Sequence, residues 1–430
     1  MKVSTTVVDG ELAVRDGIAS RKGYYYLGIL WLLFFFDIAV RTAINPLLPL
    51  IKADLALSDG QLGLIGSAVL LGITIFVIPI SYVSDRWSRS RIIGIMAFVW
   101  SACSFITGCA TGLSMMLGSR LGVGVGEASY SSAAVSLIST WFEKSRWGKI
   151  LAVFNSAQPI AGGVGIMLAG VTAVAFGWRA TIIAFSIPSV FLGFLALRMP
   201  KTKAIRPEEG GSRAEVAYFG RLLTKNKTYA FMCLANGVCN IALQANITWT
   251  STYLVRYFGF SVSKAAILSG LVVLIGIPAY ALGGLVLDRW YKRDVRSRMW
   301  FAALAGSLGA LSFFAGYLFQ SLILIFAAFF FMFAAFPVAT AIASQELVPS
   351  WRKTAAYGIT VFASNLFGFL GPMLVGRCSD ICSLKNALAS VQILLLLGCV
   401  GFLAAGKSYK RDLGRARIEE AAAARPEFRS

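Results

Sequence analysis

Four ionisable residues lie inside long apolar stretches of the chain and are the first candidates for chemistry: Asp37, Arg41, Arg120 and Glu127. A charge at the centre of a bilayer costs about 2.5–3.5 kcal/mol on insertion scales, so such a residue indicates a function. Arginine stays charged, and its planar fork fits carboxylate or phosphate. A buried carboxyl group, by contrast, is able to take up and release a proton. We therefore expect the two arginines to bind an anion and the two acids to carry protons.

The spacing of these residues places each acid and one arginine on the same helix face. Asp37 and Arg41 are four residues apart, and Arg120 and Glu127 are seven apart. The alternative is that the pairs neutralise themselves and only hold two helices in place, although apolar residues would do so at a lower desolvation cost. Since the sequence contains no histidine, proton coupling through a side chain depends mainly on the two acids.

Uncharged polar residues extend the candidate site. Asn236, Asn240 and Gln244 follow one another at steps of four and form a continuous polar stripe, which lipid would not tolerate. We expect the stripe to face the protein interior and contact substrate, and hydrogen bonds between helices are the alternative. Further candidates for substrate binding are Gln158, Tyr280 and Asn365.

The composition requires a membrane protein with many spans. Of the 430 residues, 57% are hydrophobic and only 14% are charged, whereas soluble domains have about 45–50% and about 25%. A helix needs about 20 residues to cross a roughly 30 Å hydrocarbon core, and lipid forces each spanning segment to satisfy its own backbone groups. Twelve helical spans are predicted, at 24–50, 61–83, 91–111, 113–139, 148–174, 178–199, 229–257, 263–287, 298–318, 321–346, 354–378 and 384–406.

The basic residues are distributed very unevenly between the two sides of these spans. Thirty-two of the forty Lys and Arg residues lie in the tails and in the loops after even-numbered spans, and only six lie in the opposite loops. Such an excess marks the cytoplasmic side, so both termini are expected there. The net charge of +20 is therefore mainly a topology signal. A nucleic-acid partner is not expected, because the basic residues form no single binding face.

The two halves of the chain repeat one plan. Asp85-Arg86-Trp87 follows span 2 and Asp288-Arg289-Trp290 follows span 8, which indicates a duplicated six-helix unit. Duplicated units place the substrate site between the halves, near the middle of the bilayer. We predict an all-α membrane protein of twelve transmembrane helices in two six-helix pseudo-repeats. Its parts are a cytoplasmic tail at 1–23, a bundle at 24–199, a cytoplasmic linker at 200–228, a second bundle at 229–406 and a cytoplasmic tail at 407–430.

This plan resembles the major facilitator superfamily. The loop motif of that superfamily, a glycine followed by Asp-Arg and a later arginine, is present from Gly284 to Arg293, and the earlier copy has Ser81 in place of the glycine. In the superfamily these loops help to lock one end of the transporter. The resemblance therefore implies a gating role for Asp85, Arg86, Asp288 and Arg289.

Two branches of the superfamily are similar in more detail. The segment 120–130, which contains Glu127, and the segment 347–380 resemble the spinster-like transporters of sphingoid phosphates and lysophospholipids. Phe154-Asn155-Ser156 is similar to the organic anion:cation symporters, in which the glutamine matching Gln158 contacts substrate. Both branches have an acid directly before the span-1 arginine. That position is Val40 here, and Asp37, one turn earlier on the same face, is the candidate to replace it.

The sequence thus predicts a proton-coupled secondary active transporter that works by alternating access on an anionic organic or amphipathic, lysolipid-like substrate. A symporter of protons and small carboxylates, and a membrane ligand sensor that does not transport, are the alternatives. The chain has no GxxxxGK[ST] loop, no nucleophile–base pair and no Cys/His metal set. We therefore expect no enzyme activity, no metal and no other cofactor. The expected form is a monomer in the inner membrane of a bacterium.

Overall fold

The computed structural model describes residues 21–128, 130–143, 146–200, 220, 222–349 and 352–423. Twelve helical spans account for nearly all of these residues, and no β-strand occurs among them. Span 1 is Arg21–Leu55, span 2 Asp59–Arg86, span 3 Arg89–Gly108, span 4 Leu113–Glu127 and Tyr130–Trp141, spans 5 and 6 the two arms of Trp147–Leu197, span 7 Lys227–Phe258, span 8 Val262–Leu274 and Gly276–Tyr291, span 9 Ser297–Leu318, span 10 Leu322–Ala334 and Phe336–Glu346, span 11 Lys353–Gly368 and Leu370–Ile381, and span 12 Leu384–Ser390 and Gln392–Ala423.

The predicted all-α membrane fold of twelve spans is confirmed. Ten stretches of the described chain are long and apolar enough to cross a membrane. One of them, Trp147–Leu197, changes direction at Gly177, whose φ of 81° and ψ of 162° are not helical, and so forms two spans. The interrupted helix pair between Leu113 and Trp141 supplies the remaining span.

An even number of spans brings the two ends of the described chain to one end of the bundle, which we call the tail end. We call the opposite end the distal end. Span 12 was predicted to stop near residue 406, but its helix continues to Ala423. The difference arises because the apolar stretch ends before the helix does, and the last turns carry charged residues beyond the apolar belt.

Serine residues begin four of the even-numbered spans at the distal end. Ser58, Ser261, Ser321 and Ser383 each accept a hydrogen bond at the side chain from the backbone N–H three residues later. This N-cap satisfies one of the backbone donors that the first helical turn leaves free. Ser58 and Gln61 form a complete capping box, so the start of span 2 is fixed by its own sequence.

The hydrophobic core divides in a way that defines how the two halves meet. One buried cluster contains only residues between Leu27 and Met199, so it lies within the first half. A larger cluster runs from Ile44 to Leu413 and mixes both halves. The first-half members of the mixed cluster, such as Ile51, Leu62 and Trp178, all lie on the distal parts of their spans. The halves therefore share a core at the distal end and keep separate cores toward the tail end.

Candidate functional site

Arg41 and Glu127 form an ion pair between span 1 and span 4, with 3.3 Å from Nη1 to Oε2. The Glu127 side chain is almost fully buried, at 2% exposure, whereas that of Arg41 keeps 25%. The pairing therefore joins two helices rather than two positions on one helix. Arg41 is the member of the pair that a ligand is able to reach.

Arg120 does not pair with Glu127, although both lie on span 4. Its guanidinium donates from Nη2 to the backbone carbonyl of Arg41 at 3.0 Å and from Nη1 to that of Val40 at 3.5 Å. Arg120 is buried, and its Nε atom has no hydrogen-bond partner. The hydrogen bonds of both arginines therefore cross between spans 1 and 4 rather than joining residues of one helix, and holding these two helices together stays the alternative role of the group.

Asp37 completes this group of buried charges. Its side chain is buried and its Oδ1 atom has no hydrogen-bond partner. It lies close enough to Glu127 and Arg41 to interact electrostatically with both. The second oxygen of Glu127, Oε1, also lacks a partner. Two buried acids thus share one partly exposed arginine, and each keeps an oxygen free to accept a proton.

The local structure of span 4 explains why Glu127 is placed against span 1. The first helix of this span ends at Glu127 and the next begins at Tyr130. Tyr130 is buried and donates its hydroxyl to the carbonyl of Leu30 on span 1, at 2.6 Å. On the opposite side, Gly124 lies against the backbone of span 2 so closely that no side chain would fit. The close approach to span 2 and the hydrogen bond from Tyr130 to span 1 therefore hold this part of span 4, which carries Glu127, in place.

The polar stripe of span 7 is oriented inward, as expected, and part of it bonds between helices. Asn236 and Asn240 are buried, and Gln244 is half-buried. Asn240 donates its amide to the carbonyl of Ser364 on span 11, at 2.7 Å. The alternative of hydrogen bonding between helices thus describes Asn240, and a role in substrate binding remains a prediction for all three residues.

The other predicted binding residues lie on separate spans. Gln158 on span 5 is exposed and Asn365 on span 11 is half-buried. Tyr280 on span 8 is 36% exposed, with its ring 5.7 Å from that of Phe333. The structure thus brings together Asp37, Arg41, Arg120 and Glu127, while these three positions have no hydrogen bond to that group within the described part of the chain.

A second group of charges, which no sequence pattern predicted, joins the halves at the distal end. Asp59 on span 2 accepts from Lys52 on span 1 at 2.5 Å. From the other half, Arg256 of span 7 donates two hydrogen bonds to Asp59, at 2.5 and 2.6 Å, and Ser379 of span 11 donates one at 2.6 Å. Asp59 is 3% exposed, so this carboxyl group is buried, and its hydrogen bonds come from two cationic side chains and one hydroxyl.

Asp380 extends this connection by capping span 2 from the opposite half. Its carboxylate accepts from the backbone N–H of Asp59 and of Gly60, each at 2.8 Å, and from the Ser58 hydroxyl at 3.0 Å. A carboxylate is well placed at a helix N-terminus, where the free N–H groups and the helix dipole favour negative charge. We call Lys52, Asp59, Arg256, Ser379 and Asp380 the distal lock.

The distal lock left a signal in the sequence. The loops at that end carry only six basic residues and three acids, Asp54, Asp59 and Asp380. An acid at an otherwise apolar end of the bundle is expected to bind a basic or hydrogen-bonding side chain. Asp54 pairs with Arg179 within the first half, and the other two acids bridge the halves. Sequence spacing could not predict these partners, because they are about 200 and 320 residues apart.

The sequence model of the Major Facilitator Superfamily matches residues 30–372. The chain belongs to the major facilitator superfamily. It is thus a transporter of that superfamily, and the predicted similarity to spinster-like and organic-anion transporters is also confirmed.

Relatives with named substrates are similar over most of this transporter. The hexuronate transporter of Bacillus subtilis (strain 168) is 27% identical over 363 residues, covering 79% of this chain and 84% of the relative. The sphingosine-1-phosphate transporter SPNS2 of Xenopus tropicalis is 26% identical over 372 residues, covering 81% and 72%. A crystal structure of a bacterial homolog to the human lysosomal transporter Spinster, in an inward-facing and unoccupied conformation, matches with a TM-score of 0.80. Its sequence identity is 18%, over 91% of this chain and 98% of that chain.

The gating positions of this superfamily member lie at the tail end. The side chains of Asp85 and Arg86 are outside the described residues. Asp288 and Arg289 are exposed, and neither forms an ion pair with any residue that the structure describes. Among the described residues, the ion pair and hydrogen bonds between the halves are at the distal end, and the gating role of the tail-end motif remains a prediction.

The described chain offers no site for a structural or catalytic metal. Among the residues that the structure places, no group of three Cys, Asp or Glu side chains is close enough to hold an ion.

Val40, the position where related branches have an acid, is buried, and its backbone carbonyl accepts a hydrogen bond from Arg120. The replacement of that acid by Asp37 remains a prediction.

Proposed function

We propose that this superfamily member is a proton-coupled secondary active transporter of an organic anion, working by alternating access. The observation that carries the proposal is that two buried acids share one partly exposed arginine. Arg41 offers the fork that carboxylate or phosphate needs. Glu127 is bound to it directly, and Asp37 lies within electrostatic range. Anion binding and proton binding therefore act on the same cation.

In the proposed cycle, the substrate anion approaches the exposed edge of Arg41 and competes with Glu127. Once displaced, an ionised Glu127 would be left in an apolar site without a cation, which is costly. It therefore takes a proton, with Asp37 as the second acid in the same site. The neutral acid and the bound anion cross together as the halves rock. When the anion leaves, Arg41 pairs again with Glu127 and the proton departs.

The substrate class follows from this chemistry and from the relatives. The names of the two relatives described above give a hexuronate as the substrate of one and sphingosine-1-phosphate as that of the other, and both substrates are anions. An amphipathic, lysolipid-like anion and a small carboxylate both remain candidates. Of the aromatic residues before Asp37, Phe34 stacks on Phe154 in the core at 5.0 Å, whereas Phe35 and Phe36 are half-buried. Only the latter two have surface for an apolar tail.

The conformation described here fits an inward-open state if the tail end is cytoplasmic. The excess of basic residues at the tail end supports that orientation, which places both termini in the cytoplasm. The proposal further takes the protein to be a monomer in the inner membrane of a bacterium. The distal lock would then close the outer side. In the opposite state, Asp85, Arg86, Asp288 and Arg289 would lock the cytoplasmic side. Gln158, Asn236, Asn240, Gln244, Tyr280 and Asn365 would line the path between the two.

Two steps test this function. Thermal shifts of the purified transporter with glucuronate, other small carboxylates, sphingosine-1-phosphate and lysophosphatidic acid identify a ligand class. A labelled form of the best ligand is then supplied to proteoliposomes with a proton gradient. We expect accumulation above the equilibrated level that disappears when the gradient is collapsed. Binding without any transport would contradict the proposal and favour a membrane sensor.

A further inference from the structure

A basic groove lies toward the tail end between the start of span 7 and the middle turns of the span-12 helix Gln392–Ala423. It is an open groove with a volume of about 310 Å³. Lys227 and Phe231, four residues apart, form one wall on span 7. Span 12 supplies the other wall with residues spaced along one helix face: Ala404, Lys407, Ser408 and Arg411. The groove belongs to the second half only and is separate from the group around Arg41.

The position of the groove coincides with the edge of the apolar belt. On span 7, Phe231 and Leu234 are exposed, at 44% and 51%, just after the charged first turn. On span 12, Val400 and Leu403 are exposed, at 61% and 47%, and the exposed residues from Lys407 to Arg417 are all basic. Exposed apolar side chains on a spanning helix face lipid tails, so the basic end of the groove lies at headgroup depth.

The charge of the groove is positive and largely unpaired. Lys227 and Lys407 are exposed and form no ion pair with the described residues. The nearby acid, Asp412, is 1% exposed and is already bound by the backbone N–H and hydroxyl of Thr228, at 3.0 and 2.9 Å. Arg411 gives only its Nε to Asp412, at 2.9 Å.

The remaining donors of the groove therefore point to an anion. The two terminal nitrogens of the Arg411 guanidinium have no partner in the described chain. The Ser408 hydroxyl already accepts a hydrogen bond from Thr228, at 2.8 Å, so the donors left for a ligand are mainly the cationic side chains. Two ammonium groups and a guanidinium beside an apolar wall match a phosphate group with hydrocarbon attached.

We propose that this groove binds an anionic phospholipid, with its phosphate between Lys227, Lys407 and Arg411 and an acyl chain along Phe231 and Ala404. A zwitterionic lipid carries the same phosphate, but its own cation competes with these side chains. A free phosphate would meet the same charges but would gain nothing from the apolar wall. The groove thus selects for negative headgroup charge and for a hydrocarbon tail at the same time.

Native mass spectrometry with titrated lipid tests this proposal. The purified, delipidated transporter is titrated with dioleoylphosphatidylglycerol, dioleoylphosphatidylcholine or sodium phosphate, and the bound fraction is measured. The variant K227Q/K407Q removes both ammonium groups. Its control, K292Q/R293Q, removes two exposed positive charges from the tail-end loop between spans 8 and 9. We expect K227Q/K407Q to bind phosphatidylglycerol about tenfold more weakly or worse, while the control binds like wild type.

Further arms locate the bound lipid. Phosphatidylcholine and inorganic phosphate should bind the wild type more weakly than phosphatidylglycerol does. Equal loss in K227Q/K407Q and its control, or equal binding of phosphatidylcholine, would overturn the proposal. So would equally strong binding of free phosphate. If K227Q/K407Q does not fold, K407Q alone answers the question, because Lys407 is exposed and forms no ion pair with the described residues.

Discussion

At the scale of single residues, the sequence identifies the candidate charges but not their partners. Asp37, Arg41, Arg120 and Glu127 stand out because a charge within an apolar span is costly. Spacing along one helix suggests partners on that helix. The structure pairs Arg41 with Glu127 across spans and gives Arg120 two backbone carbonyls. Contacts between helices depend on how the spans pack, and no local pattern encodes that packing.

The shape of the Arg41 side chain matters as well as its charge. In R41K, a single ammonium group would have to serve both the substrate anion and Glu127, and the bidentate geometry would be lost. We expect substrate affinity to fall about tenfold or more, which corresponds to about 1.4 kcal/mol. The matched control is R179K, which alters an exposed ion pair with Asp54 at the distal end of the first half. Isothermal titration calorimetry with the best ligand measures the affinity of both variants. Unchanged affinity in R41K would show that Arg41 does not bind the substrate.

At the scale of elements, the number of spans and their starts follow from the sequence, whereas the contacts between them do not. Apolar length predicts twelve spans, and serine caps begin four of them. The neighbours of span 4 are set by tertiary contacts, because Tyr130 bonds to span 1 and Gly124 packs against span 2. The distal lock was missed for the same reason.

The distal lock should control which side of the transporter is open. In D59N, Lys52 and Arg256 lose the carboxylate that joins them, and we expect the distal-closed state to lose about 1–3 kcal/mol, a population shift of about 5- to 150-fold. Hydrogen exchange measured by mass spectrometry should become faster at the distal ends of spans 2 and 11.

The control for this variant is D54N. Asp54 lies at the same end, but its partner Arg179 belongs to the same half. Removing that carboxylate should leave the exchange of spans 2 and 11 as in the wild type. Equal acceleration in D54N and D59N would mean that the distal lock has no special role in closing this end.

At the scale of the whole molecule, the duplicated plan and the family were predictable, and the conformation was not. The repeated Asp-Arg-Trp loops indicate two six-helix units, and the superfamily match agrees with them. That the halves share a core only at the distal end emerges from packing. Sequence patterns describe both states of an alternating transporter equally, so they do not select one of them.

The central claim is that Glu127 links proton movement to anion movement, and accumulation by E127Q in proteoliposomes tests it most directly. A glutamine resembles the protonated acid, so substrate binding and the exchange of internal for external substrate should persist and become independent of pH. Uphill accumulation driven by a pH gradient should disappear, while the exposed tail variant E420Q behaves like wild type. If E127Q instead accumulates substrate to the wild-type level under the same gradient, Glu127 does not couple the proton and the account is contradicted.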